Sequence, residues 1–252
     1  MSLGAAMGHL HHRRFYVPPA GIQEGVVRFS PAQVHQLFRV LRLRAGDQVA
    51  IFDGTGREYA AELQASAGGQ VSASIFGERR RFPLGPAVTL AQVLPRGGAL
   101  DQILSEATAL GVARIVPLEA SRSVRRGGAG IDRWLRIIRE AAEQSGRTVL
   151  PTLERPQALE AFLEARAPEP LLACSPGGRP LLESCAVLRG VPALTLLLGG
   201  EGGLAPGELS QLSACGATLV SLGPRLLRTA TAAAAALAIV QAALETPGAG
   251  EG

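Results

Sequence analysis

The sequence predicts an α/β protein in two parts: a small N-terminal β-barrel, then a mostly parallel sheet covered by helices. Two observations carry this. Residues 13 to 82 alternate short apolar runs with turn signals, the pattern of short strands in a closed all-β unit. From Ala87 onward, continuous apolar runs of strand length alternate with segments whose apolar residues recur at helical spacing.

Each element has a local reason. In the first part "RRFYV", "GVVRFS", "DQVAIFDGTGREYAAEL" and "QVSASIFGE" read as strands, and Asp53-Gly54-Thr55-Gly56 is the hairpin turn inside the third. A short helix over Pro31 to Val40 interrupts them, with Ser30 as N-cap and Pro31 where a missing N–H costs nothing. "RRRFPLGP" (79–86) reads as a linker, which sets the domains at 13–82 and 83–246. Residues 1–12 are expected to be a disordered N-terminus or a vector remnant. In the second part "AVTLAQVL" is a buried strand. Leu100, Ile103, Leu104, Ala107 and Leu110 then mark one face of a helix that Gly111 closes. "ARIVPL" is the next strand, and Ile131, Trp134, Leu135, Ile138 and Ala142 mark a second helix, with Trp134 in the core. "EPLLAC", "ALTLLL" and "ATLVSL" are further buried strands, the last two separated by a helix starting near Pro206. The final helix runs from Thr229 to about Glu245, with Thr229 as its cap and Pro247 as its stop.

Composition narrows the class. Apolar residues make up 47% of the 252 and charged residues 18%, as in a globular chain with a sizeable core. The longest apolar run, Ala232 to Val240, is far short of the roughly 20 residues that span a bilayer. The start lacks a charged segment followed by a long apolar stretch, so no signal peptide is expected. Cys174, Cys185 and Cys215 are odd in number and without metal-like spacing, which reads as reduced thiols in a cytoplasmic protein with no metal. All 25 basic residues are arginine. Up to Gly85 there are ten arginines against six acids, whereas the remainder balances at fifteen and fifteen. A basic excess confined to one segment suits a module that meets phosphate, and Arg13, Arg14, Arg42 and Arg44 are the candidate contacts.

Chemistry concentrates near the C-terminus. In "ALTLLLGGEGGLAPGE" (193–208) a buried strand ends in glycines and a helix follows, which lets a ligand approach the backbone closely. Gly200 to Ala205 also fits the G-x-G-x-x-A dinucleotide fingerprint. That reading needs an acid near the end of the next strand, but no acid occurs between Glu208 and Glu245. The second Gly-rich strand end, Gly223-Pro224, opens on the same carboxyl edge of the sheet and is flanked by Arg225 and Arg228.

"LLLGGEGGLAPGEL" followed by "VSLGPRLLRTATAAAAAL" resembles the paired C-terminal motifs of the ribosomal RNA small-subunit methyltransferase E family, in the SPOUT superfamily. "RWLRIIREAAEQSGR", "ALGVARIVPLEASRSV" and "VLRLRAGDQVAIFDG" resemble its other blocks in the expected order, so the resemblance covers about residues 13 to 245. It implies an N-terminal PUA-like β-barrel that engages RNA and a SPOUT-type domain with a deep trefoil knot, an exception to the rule against threaded loops. It also implies a cytoplasmic homodimer that binds S-adenosylmethionine among the knot loops and methylates N3 of a uridine in 16S rRNA. On this resemblance Leu198, Gly199, Gly200, Glu201 and Gly202 line the cofactor pocket, joined by Ser221, Leu222, Gly223, Leu227, Arg228 and Thr229.

The chain departs from the family pattern at three places. Gly200 stands where a proline is usual, Ala230 where a glutamate is usual, and Ala99, Glu106 and Ala109 where charged positions are common. Arginine stays protonated, so Arg228 is the candidate for stabilising a uracil anion rather than for removing its proton. Glu201, the only carboxylate in the two loops, is the candidate base or substrate orienter, or else a cap for backbone amides. Arg225 is a candidate RNA phosphate contact. Gln144 and Arg147 either reach substrate or a dimer partner, or simply end their helix at Gly146. Two alternatives stay open: another SPOUT enzyme acting on a tRNA base or a ribose 2′-hydroxyl, and a non-catalytic ribosome-assembly factor that binds RNA.

Overall fold

Two sheets organise the protein. The computed structural model describes residues 13–64, 70–78, 86–123, 130–188 and 190–245. The linker expected over 79–86, apart from Pro86, the tail over 1–12 and the stop at Pro247 lie outside the described residues. The chain divides into two compact units, Met1–Pro83 with Arg139–Leu150, and Leu84–Ile138 with Pro151–Gly252. Residues 139–150, which follow the second unit's first strands in sequence, therefore belong to the first unit.

The first unit holds six strands: β1 (Arg14–Tyr16), β2 (Ile22–Gln23), β3 (Val26–Arg28), β4 (Gln48–Phe52), β5 (Glu58–Leu63) and β6 (Ser72–Glu78). Their order is β1-β4-β5-β6-β3-β2, antiparallel except for the parallel pair β1–β4. Alternation explains the curl of this sheet around one core. Phe15, Val27, Val49, Ile51, Ala61, Leu63 and Ala73 all point inward, and Leu37 closes the core from the helical segment. That segment begins as α1 (Pro31–His35), where Ser30 and Gln33 form a reciprocal capping box. It continues as a π-helical turn over Gln36–Val40. Asp53 Oδ1 accepts from the amide and hydroxyl of Thr55, which fixes the turn between β4 and β5.

Arg14 is the polar centre of this unit. It is 5% exposed, and its Nε donates to Glu58 Oε1 at 2.7 Å. Its Nη1 donates to the carbonyls of Ala142 and Glu143 at 2.8 and 3.0 Å, its Nη2 to that of Arg147 at 3.1 Å, and the guanidinium lies 4.7 Å from the centre of the Phe52 ring. One side chain thus satisfies the open carbonyls at the end of the helix α3 (Ile131–Ser145) while neutralising a buried carboxylate. Glu143 completes the junction by accepting from the Tyr16 amide at 2.9 Å. Burial pushes the Glu143 carboxyl up to about 6, although the Tyr16 amide and Arg14 favour its charged form.

The second unit is a parallel sheet of β7 (Ala87–Val93), β8 (Arg114–Glu119), β9 (Thr152–Leu153), β10 (Gln157–Ala158), β11 (Leu171–Pro180), β12 (Ala193–Leu198) and β13 (Thr218–Ser221). Its order is β10-β8-β7-β12-β11-β13, with β9 also on β8. The helices are α2 (Ala99–Ala109), the first half of α3, α4 (Leu159–Ala165), α5 (Leu181–Ala186), α6 (Pro206–Ala214) and α7 (Thr229–Glu245). The alanines of α7 let it approach α2, α5 and β12 closely, and Ala233, Ala236, Leu237 and Val240 are buried there. Trp134 is also buried. The sequence reading missed β2, β9, β10, α4 and α5. The strands among these are two residues long and the helices six or seven, too short to show a period.

The Arg14 cluster can be tested by unfolding. Arg14→Ala removes the buried cation beside Glu58 and the donors to three carbonyls, so urea unfolding should show a loss of about 3–5 kcal/mol; a loss below about 1 kcal/mol contradicts this reading. The raised Glu143 carboxyl contributes stability below its unfolded value of about 4.3, and that contribution is lost as pH rises through about 6. Urea midpoints should therefore show Glu143→Gln gaining on the wild type between about pH 4.5 and 6.5. Parallel curves for the two proteins count against it.

Candidate active site

In a parallel sheet every strand delivers its carboxyl end to one edge, and here two strand ends and a bulge in the strand between them are glycine-rich. β12 ends at Leu198, and the turn that follows closes with the Gly203 amide donating to the Gly200 carbonyl at 3.0 Å. β13 ends at Ser221, whose Oγ accepts from the Gly223 amide at 3.1 Å. β11, between them, leaves the sheet after Cys174 and rejoins β13 at Arg179, so residues 175–178 are extruded. This excursion requires glycine at one point: a Cβ on Gly178 would lie 2.6 Å from the Val220 nitrogen.

The three turns enclose a cavity of about 560 Å³. It is lined by the whole of the predicted set 198–202 and 221–223, together with Leu227 and Thr229. Its walls are largely backbone. Side chains behind them hold the turns in place. Gln92, fully buried at the end of β7, donates through Nε2 to the Gly199 carbonyl at 3.1 Å. Arg122 donates to the Gly202 carbonyl at 2.8 Å. Glu208 caps α6 by accepting from the Ala205 amide at 2.7 Å, and its other oxygen accepts from the amide and hydroxyl of Ser121. Burial works against that charge, but these donors and Arg122 outweigh it and hold the Glu208 carboxyl below the usual range.

A second cavity, of about 630 Å³, adjoins the first. Glu201, Leu226, Leu227 and Thr229 line both, while Ala99, Gln102, Arg228, Ala230 and Thr231 line only the second. Arg228 lines the second cavity and not the first. Glu201 is exposed and accepts from the Arg96 amide through Oε2 at 3.0 Å, which positions its carboxylate between the two spaces. Arg225 lines the first cavity at its exposed mouth. At the start of α7, Arg228 and not Thr229 holds the cap position, its carbonyl accepting from the Ala232 amide.

The basic candidates of the first unit separate. Arg42 and Arg44 are exposed, and Arg13 is half-exposed with its guanidinium 3.8 Å from Asp47. Arg14 is buried with its donors spent inside the unit, which corrects its assignment as an RNA contact. Arg147 sits beside it, where burial pushes its guanidinium down to about 10. The sequence reading missed the third turn, Cys174 to Gly177, and Gln92. "LLACSPGGR" carries the same signal as "LLLGGEGG", an apolar strand ending in glycines, and a lone amide in the apolar strand "AVTLAQVL" marks a buried polar contact. Among the described residues no cluster of three His, Cys, Asp or Glu side chains is arranged to hold a metal ion.

Because backbone cannot yield as a side chain does, Gly178→Ala should cost about 1–3 kcal/mol. It should also speed hydrogen exchange at the amides of 218–223. Unchanged exchange there would show that the turn relaxes freely.

The chain matches an RNA methyltransferase domain model over residues 82–241 and an RNA methyltransferase PUA domain model over residues 29–76. The ribosomal RNA small subunit methyltransferase E of Synechocystis is 38% identical over 92% of this chain and 78% of its own length. That of Bacillus subtilis is 30% identical over 82% of this chain and 86% of its own. The enzyme of the same name from Neisseria gonorrhoeae, solved with S-adenosyl methionine bound, superposes with a TM-score of 0.83 at 29% identity, covering 92% of this chain and 98% of that one. A methyltransferase from Legionella pneumophila, also solved with bound cofactor, gives 0.81 at 30% identity, covering 92% and 97%. With its glycine-walled cavity at the carboxyl edge of a parallel sheet, this chain belongs to the ribosomal RNA small subunit methyltransferase E family.

Proposed function

We propose that this protein transfers a methyl group from S-adenosylmethionine to N3 of a uridine in 16S ribosomal RNA. The observation that carries the reading is the pair of adjoining cavities with Glu201 in their common wall. The first cavity fits the cofactor. Its volume suits a ligand of that size, and its backbone walls offer amides and carbonyls to an adenine and a ribose. Leu198, Leu222 and Leu227 supply apolar faces for the base. Bound there, the cofactor supplies a methyl carbon made electrophilic by a positively charged sulfur. Burial, with the Cys185 thiol adding, pushes Cys174 up to about 12, so this lining residue stays a neutral thiol and does not compete for the methyl.

The remaining work falls to the second cavity. Uracil N3 carries a proton that must leave before its lone pair can form the new N–C bond. Glu201 is placed to accept that proton, and the C–S bond electrons stay with sulfur. Arg228, permanently charged, stabilises the anion spread over the uracil carbonyls. The Arg96 amide keeps Glu201 in place while leaving its other oxygen available.

The rest of the molecule takes its roles from this reaction. The first unit is a PUA-like barrel serving as the RNA platform, with Arg13, Arg42 and Arg44 on phosphates and Arg225 contacting RNA at the site's mouth. The threading of the three turns forms a trefoil knot. Leu226, 94% exposed beside the cavities, suits burial by a second subunit in a cytoplasmic homodimer.

Titration calorimetry with S-adenosylmethionine should show one site per chain, and no heat of binding refutes the reading. Arg228→Ala should lower kcat by about 10²–10³-fold while leaving cofactor affinity nearly unchanged. If instead affinity and turnover fall together, Arg228 belongs to cofactor binding after all.

A further inference from the structure

Besides two threonines, the lining of the second cavity contains one polar side chain that the proposed reaction leaves without a task. Gln102 lies in the opening turn of α2, exposed, and lines the cavity with Arg228 and Glu201. Its Nε2 donates to Glu106 Oε1, one turn further along the helix, at 2.8 Å. A carboxylate only accepts, so this bond fixes which end of the amide is nitrogen. One Nε2 hydrogen remains for a ligand. The other oxygen of Glu106 is buried and has no partner among the described residues, so the bond to Gln102 is what anchors this carboxylate.

Beside the threonine hydroxyls and the Gln102 carbonyl, the lining of the cavity offers the Arg228 guanidinium and the remaining Gln102 N–H as donors and the Glu201 carboxylate as an acceptor. The reacting edge of uracil is their complement, two carbonyl acceptors on either side of an N–H donor. Cytosine presents an acceptor at N3 and a donor at N4, which would face Glu201 and Gln102 with the wrong sign. A mismatched polar group at a site built for its complement costs more than a lost contact, because a partner is left unpaired.

We propose that Gln102 is a specificity-determining residue, donating to a carbonyl beside N3 of the target uracil, and that Glu106 is its positioning residue. This rests on the methyl-transfer reading of the site. Thr229 and Thr231, whose hydroxyls both donate and accept, line the same space without imposing a sign.

The test is a double-mutant cycle on the full-length chain. Methyl transfer from labelled S-adenosylmethionine to unmodified small ribosomal subunits is read beside cofactor affinity by calorimetry. Gln102→Ala should lower kcat/KM about tenfold with cofactor affinity held within about twofold. Glu106→Ala should lower it by less, and the double variant should match Gln102→Ala alone, because Glu106 acts through Gln102. Gln102→Glu, nearly isosteric but without a donor, should be at least as impaired as the alanine variant, and it tests the same point if that variant fails to fold. Wild-type kcat/KM in Gln102→Ala or Gln102→Glu overturns the assignment. Additive losses in the double variant overturn the positioning role of Glu106. A wild type that binds cofactor yet methylates no uridine refutes the proposed reaction itself, and the assignment falls with it.

Discussion

The site depends on one topological constraint: β11 lies between β12 and β13 in a sheet where all strands run parallel. Parallel pairing brings the ends of β12 and β13 to the same edge, on either side of the bulge in β11. Each of these three segments must turn within a few residues without filling the space its neighbours enclose. Glycine meets both demands, and at Gly178 the adjoining Val220 backbone leaves no room for anything larger. The cavity is thus a consequence of strand order and side-chain absence. Gln92, Arg122 and Glu208 tie the segment after β12 down through hydrogen bonds to its backbone.

Charge is distributed to match. The first cavity is almost entirely backbone and apolar surface, which suits a ligand held by shape and by amides and carbonyls. Ionised groups collect in and beside the common wall, where Glu201 and Arg228 both line the second cavity. Ala230, 6% exposed, lines that cavity without adding a further carboxylate to it. The first unit uses charge differently. Arg14 is spent on structure, leaving Arg13, Arg42 and Arg44 on the surface.

Much of this was legible in the chain. Long apolar runs identified β7, β8, β12 and β13, and the period of Leu100 to Leu110 identified α2, because burial on both faces or on one stripe leaves a pattern. The loops 198–202 and 221–223 were legible as glycine-rich strand ends. Other features depend on contacts distant in sequence. Arg14 reads as one more surface arginine until Glu58 and the carbonyls of 142, 143 and 147 surround it. The placement of Arg228 in the second cavity is set by how the 221–229 segment folds, which no local spacing fixes. Strands of two residues and helices of six leave no period at all.

The central claim is that one base atom in ribosomal RNA receives a methyl group at this site. Nucleoside mass analysis of unmodified small ribosomal subunits, incubated with the protein and S-adenosylmethionine, tests it most directly. The account predicts a single new 3-methyluridine in the 16S rRNA. No new methyl, or a methyl on a ribose or another base, would contradict it.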